Sequence, residues 1–133
     1  MATIRSMAAL EVKDLALSHA FYKGLGFGTL GIWSPEEPHT IIVQRGDVTL
    51  MMQGRANPAV PGEISAYIYV DDCDALHADL TAKGVTGLTP PDDMFYGCRE
   101  FSLRDPDGHR VVFGADKGNP PHIKGLGPDR GDG

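Results

Sequence analysis

Apolar residues alternate with polar or small ones over Ala8–Val12 and again over Ala66–Val70, the pattern of a strand with one face packed inward. Each run leads into an Asp and then a stretch of helical spacing that stops at a Gly. Asp14 and Asp72 suit N-caps, because a carboxylate can accept from the unpaired amides of a first turn and sits well at the positive end of the helix dipole. Gly26 and Gly84 suit the stops. Leu17, Ala20, Phe21 and Leu25 form the inward stripe predicted for the first helix, and Leu76 with Leu80 that of the second. His19 and His77 fall off those stripes and read as solvated.

The two passages share a register. Val12, Asp14, His19 and Gly26 each lie 58 positions before Val70, Asp72, His77 and Gly84, which points to a duplicated unit. Strands over "TLGIW", "TIIVQRG" and "VTLMMQG" complete the first copy. A weaker strand near Leu88 and a hairpin from Tyr96 to Phe113 complete the second, its turn made by Asp105, Pro106, Asp107 and Gly108. On the hairpin arms Phe101, Leu103, Val111 and Phe113 take one face, while Glu100, Ser102, Arg104, Arg110 and Val112 take the other. The pattern predicts an α+β fold of two β-α-β-β-β modules, about 4–57 and 63–117, within one domain spanning 1–117. The Gly- and Pro-rich segment 118–133 reads as a mobile tail or a strap across a neighbour.

Composition narrows the function. A chain of 133 residues suits a single core, and a formal net charge of -6 with scattered Lys and Arg argues against a nucleic-acid surface. The acidity serves solubility first and only secondarily favours a cationic partner. No apolar run approaches a membrane span and the first residues lack a secretory layout, so a cytoplasmic setting is expected, with Cys73 and Cys98 as reduced buried thiols. No Ser-His-Asp constellation, activated Cys or phosphate-binding Gly loop is evident.

The opening "VKDLALSHAFYKGLGF" and the closing "REFSLRDPDGHRVVF" resemble the glyoxalase, bleomycin-resistance and extradiol-dioxygenase superfamily, also called vicinal oxygen chelate proteins, and within it most nearly the bleomycin-resistance proteins. The resemblance implies curled mixed sheets around a cavity, commonly completed as a homodimer. It also implies four strand positions where the enzymes of the superfamily carry metal-binding His and Glu. Here those positions are Met7, Met51, Ser65 and Val112. Two thioethers, a hydroxyl and a valine do not make a site for a divalent ion. His39, His109 and His122 do not pair at ligand spacing either. Neither a metal nor another cofactor is expected.

The faces that carry those positions also carry Ala9, Glu11, Thr49, Gln53, Tyr67, Tyr69 and Arg110. Tyr67 and Tyr69 present flat apolar rings, Met51 adapts to irregular shapes, and Glu11 can meet a positive group. Two loops pair aromatics with acids: Trp33 precedes Glu36 and Glu37, and Phe95 with Tyr96 follows Asp92 and Asp93. In bleomycin-resistance proteins such loops hold the antibiotic's planar rings; Tyr96 matches one aromatic, with Trp33 or His39 as the other. The leading expectation is a non-catalytic protein that sequesters a planar cationic antibiotic such as bleomycin. The alternatives are a lyase, isomerase or dioxygenase with a rearranged metal site, and a sensor or accessory module with the same pocket chemistry.

Overall fold

The computed structural model describes residues 1–118; the segment expected to be a tail, His122 included, lies outside the described residues from position 119 onward. Strand β1 (Ala8–Val12) buries Leu10 and Val12 and turns Ala9 and Glu11 to the other side. Helix α1 (Leu15–Gly24) starts where the Asp14 carboxylate accepts from the Leu17 amide at 3.0 Å, and the chain leaves it through Gly26 at φ +92°. Then come β2 (Gly28–Trp33), β3 (Thr40–Arg45) and β4 (Val48–Gly54). The second module repeats the order with β5 (Ala66–Tyr69), α2 (Cys73–Ala82), β6 (Asp92–Asp93), β7 (Cys98–Arg104) and β8 (Arg110–Asp116). Asp72 caps α2 by accepting from the Ala75 amide at 3.0 Å. The second module's second strand is the two-residue β6, later and shorter than the one expected near Leu88.

Each module makes a four-stranded mixed sheet, ordered β1-β4-β3-β2 and β5-β8-β7-β6, in which the first strand pairs parallel with the last. A helix covers one face of each sheet, and a single apolar core runs through both modules, from Leu10, Val43 and Met52 to Ile68, Phe101 and Phe113. Among the described residues no helix is long and apolar enough to cross a membrane. Cys73 and Cys98 are free and buried.

The inward face of α1 differs from the stripe read in the sequence. Leu17 is 53% exposed, while Ser18 and Tyr22 are fully buried beside Leu25. The reason is a partner far along the chain: the Tyr22 hydroxyl donates to Asp105 Oδ2 at 2.7 Å, so a polar tip is satisfied inside the core. Asp105 belongs to the β7–β8 turn, and that turn grips the first module at two more points. The Lys13 amide donates to Asp107 Oδ1 at 2.8 Å, and His109 Nε2 lies 2.8 Å from the Glu11 carbonyl. That carbonyl can only accept, so Nε2 carries the proton and Nδ1 accepts from the Ser65 hydroxyl at 2.8 Å. His109, read in the sequence as a residue beside a turn, is thus a buried strut between modules. His19 and His77 are likewise half-buried rather than solvated, the first against the Thr29 hydroxyl at 2.7 Å and the second edge-on to Phe101.

Candidate functional site

With one face of each sheet given to the core, chemistry is left to the other. On the first sheet this open face carries Ala9, Glu11, Ile42, Met51 and Gln53, and Met51 sits between Ala9 and Ile42 in register. On the second it carries Tyr67, Tyr69, Glu100, Ser102, Arg110, Val112 and Gly114.

The second face is organised around a buried carboxylate. Glu100 is 4% exposed; one oxygen accepts a short hydrogen bond from the Tyr96 hydroxyl, and the other is buried without a partner among the described residues. The Tyr67 hydroxyl is buried too, lying beside Glu100 and the Cys98 thiol without closing a well-formed hydrogen bond to either. Burial first, then the neighbouring Glu100, pushes the Tyr67 phenol far above its ordinary range. The same two causes push Tyr96 up to about 12. The Tyr67 ring occupies the space above Gly114, where a Cβ would stand 2.7 Å from ring atom Cζ, so the ring's placement depends on the missing side chain. Tyr69 follows at a centroid distance of 5.1 Å, and Phe95 meets Tyr96 edge-on at 5.1 Å. Tyr69 is 67% exposed and Phe95 92%, so these two side chains are open to solvent.

The remaining candidates lie elsewhere. Trp33 ends β2, 47% exposed, its ring folded over Gly31. His39 is exposed on the next loop, near Lys13, Arg55 and Asp107 in a cleft of about 800 Å³. Glu11 is partly engaged, accepting from the Ala59 amide at 3.2 Å. His39, Tyr67 and Tyr69 line three separate clefts, and none of the five best-defined clefts holds two of the eight candidates. On one chain the candidates fall into two separate groups, with Glu11, Trp33, His39 and Met51 on the first sheet and its loop and Tyr67, Tyr69, Phe95 and Tyr96 on the second sheet and its loop.

One expectation needs correction. Asp93 is not free to meet a cation: Arg99 bridges it at 3.3 Å to Asp74 on α2 at 2.9 Å, and Lys117 approaches it at 3.5 Å. The Arg99 hydrogen bond holds both carboxyls below their usual range. Val112 is fully buried between Tyr67 and Ser102 in register. Glu100 was absent from the candidate set, although the strand alternation that puts Phe101 inward already placed it on the open face.

The four positions at which the superfamily's enzymes hold a metal can now be judged by their donors. Met7 is 40% exposed ahead of β1, Met51 is a thioether, Ser65 is engaged by His109, and Val112 has no donor and is sealed. Among the described residues no group of three or more His, Cys, Asp or Glu side chains could hold a metal ion. The residues present do not fit the metal.

Doubled β-α-β-β-β modules with open mixed sheets define a fold shared with known proteins. A family profile described as the Glyoxalase/Bleomycin resistance protein/Dioxygenase superfamily matches residues 5–113, and the chain belongs to that superfamily. A bleomycin-binding protein solved in complex with bleomycin superposes with a TM-score of 0.73 at 22% identity, covering 86% of this chain and 99% of that one. The bleomycin-binding protein of bleomycin-producing Streptomyces verticillus, complexed with copper(II)-bleomycin, gives 0.70 at 28% identity, with 85% and 96% covered. A lactoylglutathione lyase from Agrobacterium tumefaciens gives 0.67 at 20% identity, with 87% and 96% covered, so the fold spans binding proteins and enzymes alike. No curated protein matches the chain.

Proposed function

We propose that the protein binds a planar, cationic small molecule of the bleomycin type and sequesters it unchanged, in a groove completed by a second copy of the chain. The observation that carries this reading is the donor set at Met7, Met51, Ser65 and Val112, which offers a divalent ion nothing to replace its water, on a fold whose second sheet instead displays four aromatic rings. Stacking between such rings needs no metal and no reaction. The likeness to the Streptomyces verticillus protein supports the ligand class. A second copy is invoked because the two groups of candidates on one chain share no cleft, and because exposed Trp33, Tyr69 and Phe95 are apolar surface that a partner would cover.

Titration calorimetry with bleomycin tests the ligand, and light scattering at micromolar concentration tests the assembly. The expected results are saturable heat, a mass twice the 14.3 kDa of one chain, and weaker binding by Tyr96→Ala, by about 1 kcal/mol or more. Absence of heat for any planar cationic antibiotic overturns the ligand class. A single-chain mass overturns the shared groove.

A further inference from the structure

At the turn end of the β7–β8 hairpin two arginines stand opposite each other. Arg104 and Arg110 are register partners, and because Leu103 and Val111 are buried on the helix side, both arginine stems leave from the open face. Like charges placed directly across a ladder destabilise it. Neither guanidinium has a carboxylate within ion-pair distance among the described residues, in a chain whose net charge is -6.

Their hydrogen bonds orient them without consuming them. Arg104 Nη1 donates to the Gly108 carbonyl at 2.9 Å, and Arg110 Nε donates to the Ser102 hydroxyl at 3.2 Å. A guanidinium has five N–H groups, so most donors of each fork remain unspent. Ser102 Oγ and Thr89 Oγ1 both act as acceptors, the latter from the Ser102 amide at 2.8 Å, which leaves their hydroxyl hydrogens to donate. These four side chains line one cleft of about 480 Å³. Thr89, Ser102 and Arg110 also line a second cleft, which Glu100 and Asp92 border. Glu100 directs one oxygen to Tyr96 and buries the other, and Asp92 Oδ1 accepts from the Asp93 amide. Neither forms an ion pair with the arginines.

We propose that this cleft is an oxyanion subsite, in which Arg104 and Arg110 with the hydroxyls of Thr89 and Ser102 hold a carboxylate, phosphate or sulfate group of a small ligand. Two guanidinium forks and two hydroxyls match an oxygen-rich anion, and the anion in turn relieves the repulsion across the ladder. The subsite lies at the turn end of the same open face that the proposed function uses, but it does not depend on that reading and is tested with no antibiotic present.

The full chain is titrated with inorganic phosphate, sulfate or benzoate at ionic strength held constant with chloride, while thermal unfolding and the amide resonances of Thr89 and Ser102 are followed. A saturable response is expected, weakened about tenfold in Arg104→Gln and in Arg110→Gln and unchanged in Arg55→Gln. A larger response to phosphate and sulfate assigns a tetrahedral anion, and a larger response to benzoate a carboxylate. Circular dichroism checks each variant's fold; exposed Arg104 supplies a substitution that leaves the core alone. A response no greater than that to chloride up to about 100 mM, or one that survives in both Gln variants, overturns the subsite.

Discussion

Replacing Tyr22 by Phe removes one oxygen from the core and tests whether the second module's turn really clasps the first. Tyr22 is fully buried and donates to Asp105 Oδ2 at 2.7 Å, and Asp105, 6% exposed, spends its other oxygen on the amides of Asp107 and His109 at 2.9 Å each. Losing a buried bond to a carboxylate costs about 1.5–3 kcal/mol, which in a chain of this length lowers Tm by about 6–12 °C. Alkali supplies a second reading of the same bond. Burial, with Asp105 beside it, holds the Tyr22 phenol well above its usual value, so its contribution is intact below the unfolded pKa of about 10 and is lost as pH rises beyond it. Wild type should therefore lose about 1.4 kcal/mol per pH unit through this group, and Tyr22→Phe should not. Tyr67 and Tyr96, also raised, are present in both proteins and cancel. Urea unfolding of both proteins at pH 8 and pH 11 measures the gap. Equal stability at pH 8, or a gap that does not narrow at pH 11, refutes the clasp as drawn.

Gly114→Ala should swing the Tyr67 ring away, since the new Cβ would stand 2.7 Å from Cζ; a loss near 1 kcal/mol with a changed Tyr67 signal is expected, and an unmoved ring contradicts the packing. Asp72→Ala should cost about 1 kcal/mol by freeing the Ala75 amide, measured by thermal unfolding. Titration with zinc, nickel or manganese should yield no stoichiometric binding, and about one ion per chain held against a weak chelator would revive a metal-dependent reaction.

Features set by neighbours along the chain were readable in the sequence. Asp14 and Asp72 cap helices through amides three residues away, and Gly26 and Gly84 take positive φ, so spacing alone located both helices. Features set across the fold were not. Tyr22 is buried because of a residue 83 positions later, so its helix stripe was assigned to Leu17, which lies 53% exposed. Asp93 looked available until the fold brought Arg99 and Lys117 to it. Alternation put Val112 on the right face, but only the placement of Tyr67 and Ser102 beside it reveals that the position is closed.

The turn at Asp105–His109 bears on how the chain can change over generations. Hairpin tips ordinarily absorb added residues at little cost, because they project into water. This tip is anchored to Tyr22, Lys13 and Glu11 of the other module, so one inserted residue would pull its contacts out of step together. Added residues are better accommodated in the connections at 34–39, 55–65 and 83–91, which make none of these contacts across the fold with Tyr22, Lys13 or the Glu11 carbonyl.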